Sequence, residues 1–165
     1  MPEAKLVVAD TSPLLNLALI DQLDLIQEQF TTVEIPEQVW SELMAGDDGV
    51  ESLQSARDDG TLDIVTPDKT PLFAEFERNL DTGEAATLAH AIQVDADLVL
   101  LDEREARKTA RRHNLSITGV IGIVLRASKQ GDIELRTELD NLREMGFWIS
   151  DDLYKSVLKE AKSND

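Results

Sequence analysis

Two apolar runs that each stop at an aspartate constrain this chain most. Leu6–Val7–Val8–Ala9 ends at Asp10, and Leu98–Val99–Leu100–Leu101 ends at Asp102. Neither run alternates apolar with polar residues, as a strand with one wet face would. Each reads as a strand buried on both faces, the mark of a parallel sheet covered by helices. The rest of the chain supplies partners of both kinds. Lys5–Ala9, Thr31–Ile35, Leu62–Val65, Leu98–Leu101 and Ser116–Ile117 read as strands. Helices are expected after Ser12, at Leu23–Phe30, from Pro36 past Leu43, and at Asp47–Arg57, Asp81–Val94 and Glu103–His113. Further helices are expected at Val120–Lys129, at Ile133–Met145 and from Ser150 onward, with a short one around Phe73–Arg78. Ser12 is expected to cap the first helix, with Pro13 at its first position. The tail from Lys162 to Asp165 is expected to fray. Alternating strands and helices give an α/β class with all strand carboxyl ends along one edge.

At 165 residues the chain is most simply one domain, 1–165, with the C-terminal helices 133–162 packed on it or flanking it. It has no cysteine, which excludes disulfides, thiolate metal sites and thiol nucleophiles. No apolar run has the length of a membrane span, and the N-terminus does not read as a signal peptide, so the expected location is cytoplasmic. Thirty-three acids against 16 bases give a formal charge of −17. That balance disfavours nucleic acid at first sight, because phosphates need cations. Net charge reports solubility more than it reports a site, however. Acids spread along the whole chain suit adaptation to high salt, where the Debye length shrinks to ~3 Å.

Asp10 and Asp102 at strand ends should face the edge where such folds bind ligands. Glu84 lies in the first turn of the helix that leads into the Asp102 strand. Were the two strands neighbours, the three acids could converge. Two carboxylates ~4 Å apart repel by about 4 kcal/mol at an effective dielectric of ~20. Protons or a hard cation must then neutralise them, and Mg²⁺ or Mn²⁺ suits oxygen ligands. A structural reading competes. Asp81–Thr82–Gly83–Glu84 and Asp102–Glu103–Arg104–Glu105 each fit a capping box, and Asp10 can serve turn amides.

Val7–Ser12 (V-V-A-D-T-S), Asp81–Ala89 (D-T-G-E-A-A-T-L-A) and Asp97–Asp102 (D-L-V-L-L-D) resemble the PIN-domain family in residues and in order. The D-T-S-P start and the segment Thr118–Ala127 look closest to a poorly characterised PIN-like group that resembles VapC toxins. The resemblance implies a three-layer α/β/α sandwich with a central parallel sheet. It also implies a Mg²⁺- or Mn²⁺-dependent nuclease, usually cutting single-stranded RNA. Asp10, Glu84 and Asp102 match the family's metal-binding acids, and Ser12 matches a small hydroxyl that supports the first of them. Many relatives are toxins held by a small antitoxin, and many are homodimers. The sequence departs from the pattern where a fourth acid often stands: Ile117–Thr118–Gly119–Val120 has none. Thr118 is the only side chain there with an oxygen, Glu103 beside Asp102 is the candidate substitute, and the departure puts a second metal, and activity itself, in question.

The one dense basic run, Arg104, Arg107, Lys108, Arg111 and Arg112, follows Asp102 directly. Arg104, Arg107 or Lys108, and Arg111 share a helical face that would set cations beside the proposed metal edge, with Arg126 and Lys129 extending it. The competing view is a solvated face with a Glu103–Arg107 pair. His90 has no second histidine at ligand spacing and reads as packing or surface. Trp40 and Trp148 read as core or interface anchors. Three functions follow in order. The first is a ribonuclease, the toxin of a toxin–antitoxin pair. The second is a catalytically weak PIN-like module that binds RNA or protein. A distant third is aspartyl-phosphate chemistry, for which the late strand lacks a basic partner and Ser12 stands where a second Asp is wanted.

Overall fold

Helical crossovers connect five short strands in the computed structural model, which describes residues 5–162. The order along the chain is β1 (Val7–Ala9), α1 (Thr11–Leu19), α2 (Asp24–Phe30), β2 (Val33–Pro36), α3 (Glu37–Ala45), α4 (Val50–Asp58), β3 (Leu62–Val65) and α5 (Pro71–Phe76). It continues through α6 (Thr82–Gln93), β4 (Leu98–Leu100), α7 (Arg104–Arg112), β5 (Ile117–Thr118), α8 (Val120–Lys129), α9 (Leu135–Glu144) and α10 (Asp151–Lys162). All pairings are parallel, in the sheet order β3-β2-β1-β4-β5. The two strands that lead to Asp10 and Asp102 are therefore neighbours, with Val7 beside Leu98, Val8 beside Val99 and Ala9 beside Leu100.

Alternation along these strands builds two cores. Val7, Ala9 and Leu100 pack with Leu14 and Leu17 of α1, Leu43 of α3 and Ile123 of α8 on one face. Val8, Val99 and Leu101 pack on the other face with Phe73, Leu88 and Ala106 from α5, α6 and α7. The result is a three-layer α/β/α sandwich. Apolar burial on both sheet faces is what the unbroken apolar runs require. The C-terminal helices belong to the first face: Leu135, Leu139, Leu142 and Val157 join its core.

Local chemistry shifts some expected boundaries. The chain enters α1 directly from β1, so Asp10 holds the N-cap position and makes no side-chain cap bond. Ser12 is the second helical residue, not the cap, and its hydroxyl accepts from Asn16 Nδ2 at 3.0 Å. Pro13 still lies in the first turn, where its missing N–H leaves no bond unmade. Ser150 does cap α10, accepting from the Leu153 amide at 3.1 Å. Lys162 closes α10, and the remainder of the expected frayed tail lies outside the described residues. No helix among the described residues is long and apolar enough to cross a membrane.

Candidate active site

Strand register decides where the two aspartates look. Asp10 follows Ala9 and continues the side of Val8, towards α6, whereas Asp102 continues the side of Leu100, towards α8. The Asp10 amide still donates to the Leu100 carbonyl at 3.0 Å, so both acids stay at the same edge of the sheet. A cavity of about 530 Å³ opens there, and Asp10, Glu42, Asp81, Glu84, Asp102 and Glu103 all line it.

Around Asp10 the acids crowd. A Cβ placed on Gly83 would stand 3.1 Å from Glu42 Oε1 and 3.6 Å from both Asp10 Oδ1 and Asp81 Oδ1. Carboxylates from the end of β1, from α3 and from the start of α6 thus surround one point beside Gly83, with the Glu42 oxygen nearest to it. Asp10 is 4% exposed. Burial pushes its carboxyl up to about 7; a bond from the Thr11 amide opposes this, and Glu84, Asp81 and Glu42 add to it. Burial also raises the Glu84 carboxyl, against the bond it accepts from Asp81. The first expected capping box is real: Asp81 accepts from the Glu84 amide at 2.8 Å, and Glu84 Oε1 accepts from the Asp81 amide at 3.2 Å. Glu84 is both a cap and a cavity-lining acid, so the two readings of this motif describe one residue.

Asp102 behaves differently. The second expected capping box does not form, because Glu103 takes the N-cap of α7 and makes no side-chain cap bond. Asp102 instead reaches the neighbouring helix and accepts from the Val120 amide at the start of α8, at 3.1 Å. Burial lifts its carboxyl to about 6, while the Val120 bond and the Arg107 charge pull the other way. Gly119 makes room for it: a Cβ there would fall 2.1 Å from Asp102 Oδ1. The position where a fourth acid was sought is therefore filled by Asp102 itself.

The remaining expected residues divide by place. Glu103 lines the acidic cavity and raises Glu84 by its charge. Ser12 lines it too, but bonds Asn16 and makes no bond to Asp10 among the described residues. Thr118 faces an adjoining cavity of about 410 Å³ that shares Asp102 as a wall. Arg104 lines the acidic cavity, and Arg107 lines the adjoining one while donating to the Leu101 carbonyl at 2.8 Å. The Glu103–Arg107 pair does not form; Lys108 pairs with Glu105 at 3.6 Å instead. A helix that follows a parallel strand runs away from this edge at 1.5 Å per residue. Arg111 consequently sits roughly 10 Å further along the axis than Arg104. Arg126 and Lys129 recede in the same way along α8, so the expected basic face narrows to Arg104 and Arg107 at the edge.

Glu42 was not singled out from the sequence. It lies in the second turn of α3, and its Oε1 accepts from Thr11 Oγ1 at 2.6 Å. Its signal was its place beside Leu43 and one turn after Val39, both core residues, on a helix starting at the same edge. His90 is a packing residue, with Nε2 2.8 Å from Glu34 Oε1. Trp40 packs against the core beneath Arg57, but Trp148 is 81% exposed and is no core anchor.

The donor set fits a hard divalent cation. The acids lining the cavity offer carboxylate oxygens, and burial, which raises both Asp10 and Asp102, makes their ionised forms ones that a bound cation would favour. Among the described residues no three of these groups form a ready ligand shell. Compared with known families, residues 6–163 match the model of the family DUF3368, described as a PIN domain. No curated protein matches the chain.

Proposed function

The chain belongs to the PIN-domain family, and from that premise we propose that it is a metal-dependent endoribonuclease acting on single-stranded RNA. Nuclease chemistry is the family's general property, and divalent metals are its typical cofactors. The observation that carries the reading is the cavity lined together by Asp10, Glu42, Glu84 and Asp102 at the carboxyl edge of the sheet. Those four would hold Mg²⁺ or Mn²⁺. A bound ion of that kind supplies an activated water and neutralises charge developing at phosphorus. The protein's own groups orient and select. Thr11 fixes the Glu42 carboxylate, Val120 and Arg107 fix Asp102, and Arg104 offers a cation at the rim for a phosphate.

The finer part of the proposal is that the chain is the cytoplasmic toxin of a toxin–antitoxin pair, held by a small partner protein and working as a homodimer. The likeness of Asp10–Pro13 and Thr118–Ala127 to a poorly characterised PIN-like group that resembles VapC toxins supports the toxin reading. A second reading, a catalytically weak module that binds RNA or protein, draws on one observation: Asp102 is already engaged by the α8 amide and Arg107. Purified protein with single-stranded RNA separates the two. Cleavage should require Mg²⁺ or Mn²⁺. Asp10→Asn, Glu42→Gln and Asp102→Asn should each lose at least the roughly 10- to 100-fold that an outer-sphere partner contributes. Full cleavage by all three folded variants rejects the site. RNA binding by wild type without cleavage favours the module.

A further inference from the structure

We propose that Trp148 is a base-stacking platform for the nucleotide next to the scissile phosphate, with the adjoining cavity taking that base. The inference rests on the nuclease reading above and deepens it. Trp148 is 81% exposed, while Leu153, another wall of the adjoining cavity, is 42% exposed. A ring that could have been buried is held in water at one particular place. Phe147 and Trp148 line both the acidic cavity and the adjoining one, and so does Asp102. A strand whose phosphate enters the first cavity therefore meets an aromatic face at the lip of the second.

The loop that carries the ring is pinned on both sides of it. The Phe147 amide donates to the Leu142 carbonyl at 3.0 Å, and Arg143 donates to the Ile149 carbonyl at 2.8 Å. Gly146 turns at φ +97°, a left-handed conformation suited to glycine. Ile149 is buried and anchors the far side. The backbone that presents the indole is thus held in place, so the loop itself has little left to order when a base stacks on the ring. The second cavity is apolar through Ile117, Ile121 and Leu153, with Arg107 as its cation. That pairing of flat apolar wall and guanidinium suits a nucleobase joined to a phosphate.

The test uses Trp148 as its own reporter, in a Trp40→Phe background that removes the other indole. The probes are a random-sequence single-stranded RNA 12-mer and an abasic 12-mer of equal charge, with EDTA present during binding. The RNA should quench Trp148 emission saturably. Binding by the variants, which lack the reporter, is read from the anisotropy of the same strands carrying a 5′ fluorescein, and Trp148→Ala should weaken it roughly 10- to 100-fold, the range stacking on one aromatic supports. Trp148→Phe should recover most of it, and the abasic strand should not distinguish the variants. Cleavage of dilute RNA with Mn²⁺ should fall by the same factor in Trp148→Ala. If that variant binds and cleaves like wild type, the stacking role fails while the nuclease reading stands. If wild type neither binds nor cleaves RNA, both fall. If emission shifts with protein concentration alone, and sedimentation shows a dimer lost in Trp148→Ala, the ring serves a second copy and the proposal is overturned.

Discussion

Asp10 concentrates the cost of the site in one side chain. Its carboxyl ionises near 3.8 in an unfolded chain and is pushed up to about 7 in the fold, chiefly by burial. Between those values the unfolded state has released a proton that the native state still holds. Stability therefore falls as pH rises from about 4 to about 7, by about 1.4 kcal/mol per unit. The contribution is complete below 3.8 and gone above 7. Asp10→Asn removes the charge but keeps the shape, so metal-free variant and wild type should diverge with pH. Urea denaturation in EDTA should show the variant gaining about 2–4 kcal/mol on wild type between pH 5 and pH 8. A constant difference would mean that Asp10 titrates as an exposed acid. The same residue shows what sequence could reveal at this scale. Asp10 and Asp102 stood out because an apolar strand ends at each, and Glu84 because it follows Asp81 at cap spacing. Glu42 did not, since an acid in the second turn of a helix looks like any solvated residue until Gly83 and Thr11 are known to face it.

Element by element, apolar runs and breakers marked the strands and helices well, and Leu62–Val65 and Val120–Lys129 match their expected limits. Strand order was not readable in the same way. That β1 lies beside β4 is a consequence of long-range packing, and the convergence of Asp10 and Asp102 at one edge depends on it. Caps failed where the partner was remote: Asp102 serves α8, eighteen residues on, where local spacing had suggested α7. This gives Gly119 a testable role. Its φ of −120° is open to any residue, so an alanine there meets no backbone strain. The obstacle is the Asp102 oxygen 2.1 Å from the new Cβ. Gly119→Ala should expel Asp102 from its seat, leave the Val120 amide unpaired and cost about 1–3 kcal/mol. RNA cleavage should fall with it, whereas an alanine at Gly46, whose φ of −82° suits any residue and whose Cβ would meet only the Leu43 carbonyl at an ordinary 3.7 Å, should leave stability and cleavage intact. Unchanged stability and cleavage in Gly119→Ala would show that Asp102 is not held from this side.

At the scale of the whole molecule, a charge of −17 must be separated from the charge of the site. Dispersed acids repel one another in dilute buffer, so any cation, specific or not, should raise the melting temperature there. In molar KCl the Debye length is only ~3 Å, and that general term is largely screened. Buried carboxylates in the cavity are screened far less. Mn²⁺ added in 1 M KCl therefore reports the site. At a hundred times its dissociation constant it should stabilise by about 2.7 kcal/mol, a rise of roughly 5–10 °C for a chain of this size. Asp10→Asn should lose most of that rise while keeping the wild-type response to KCl, because it alters one acid among 33. Equal Mn²⁺ shifts in the two proteins would assign the effect to the surface. A shift confined to wild type would tie the cation to the edge where β1 and β4 end, where Asp10 and Glu84 are buried side by side in one acid-lined cavity.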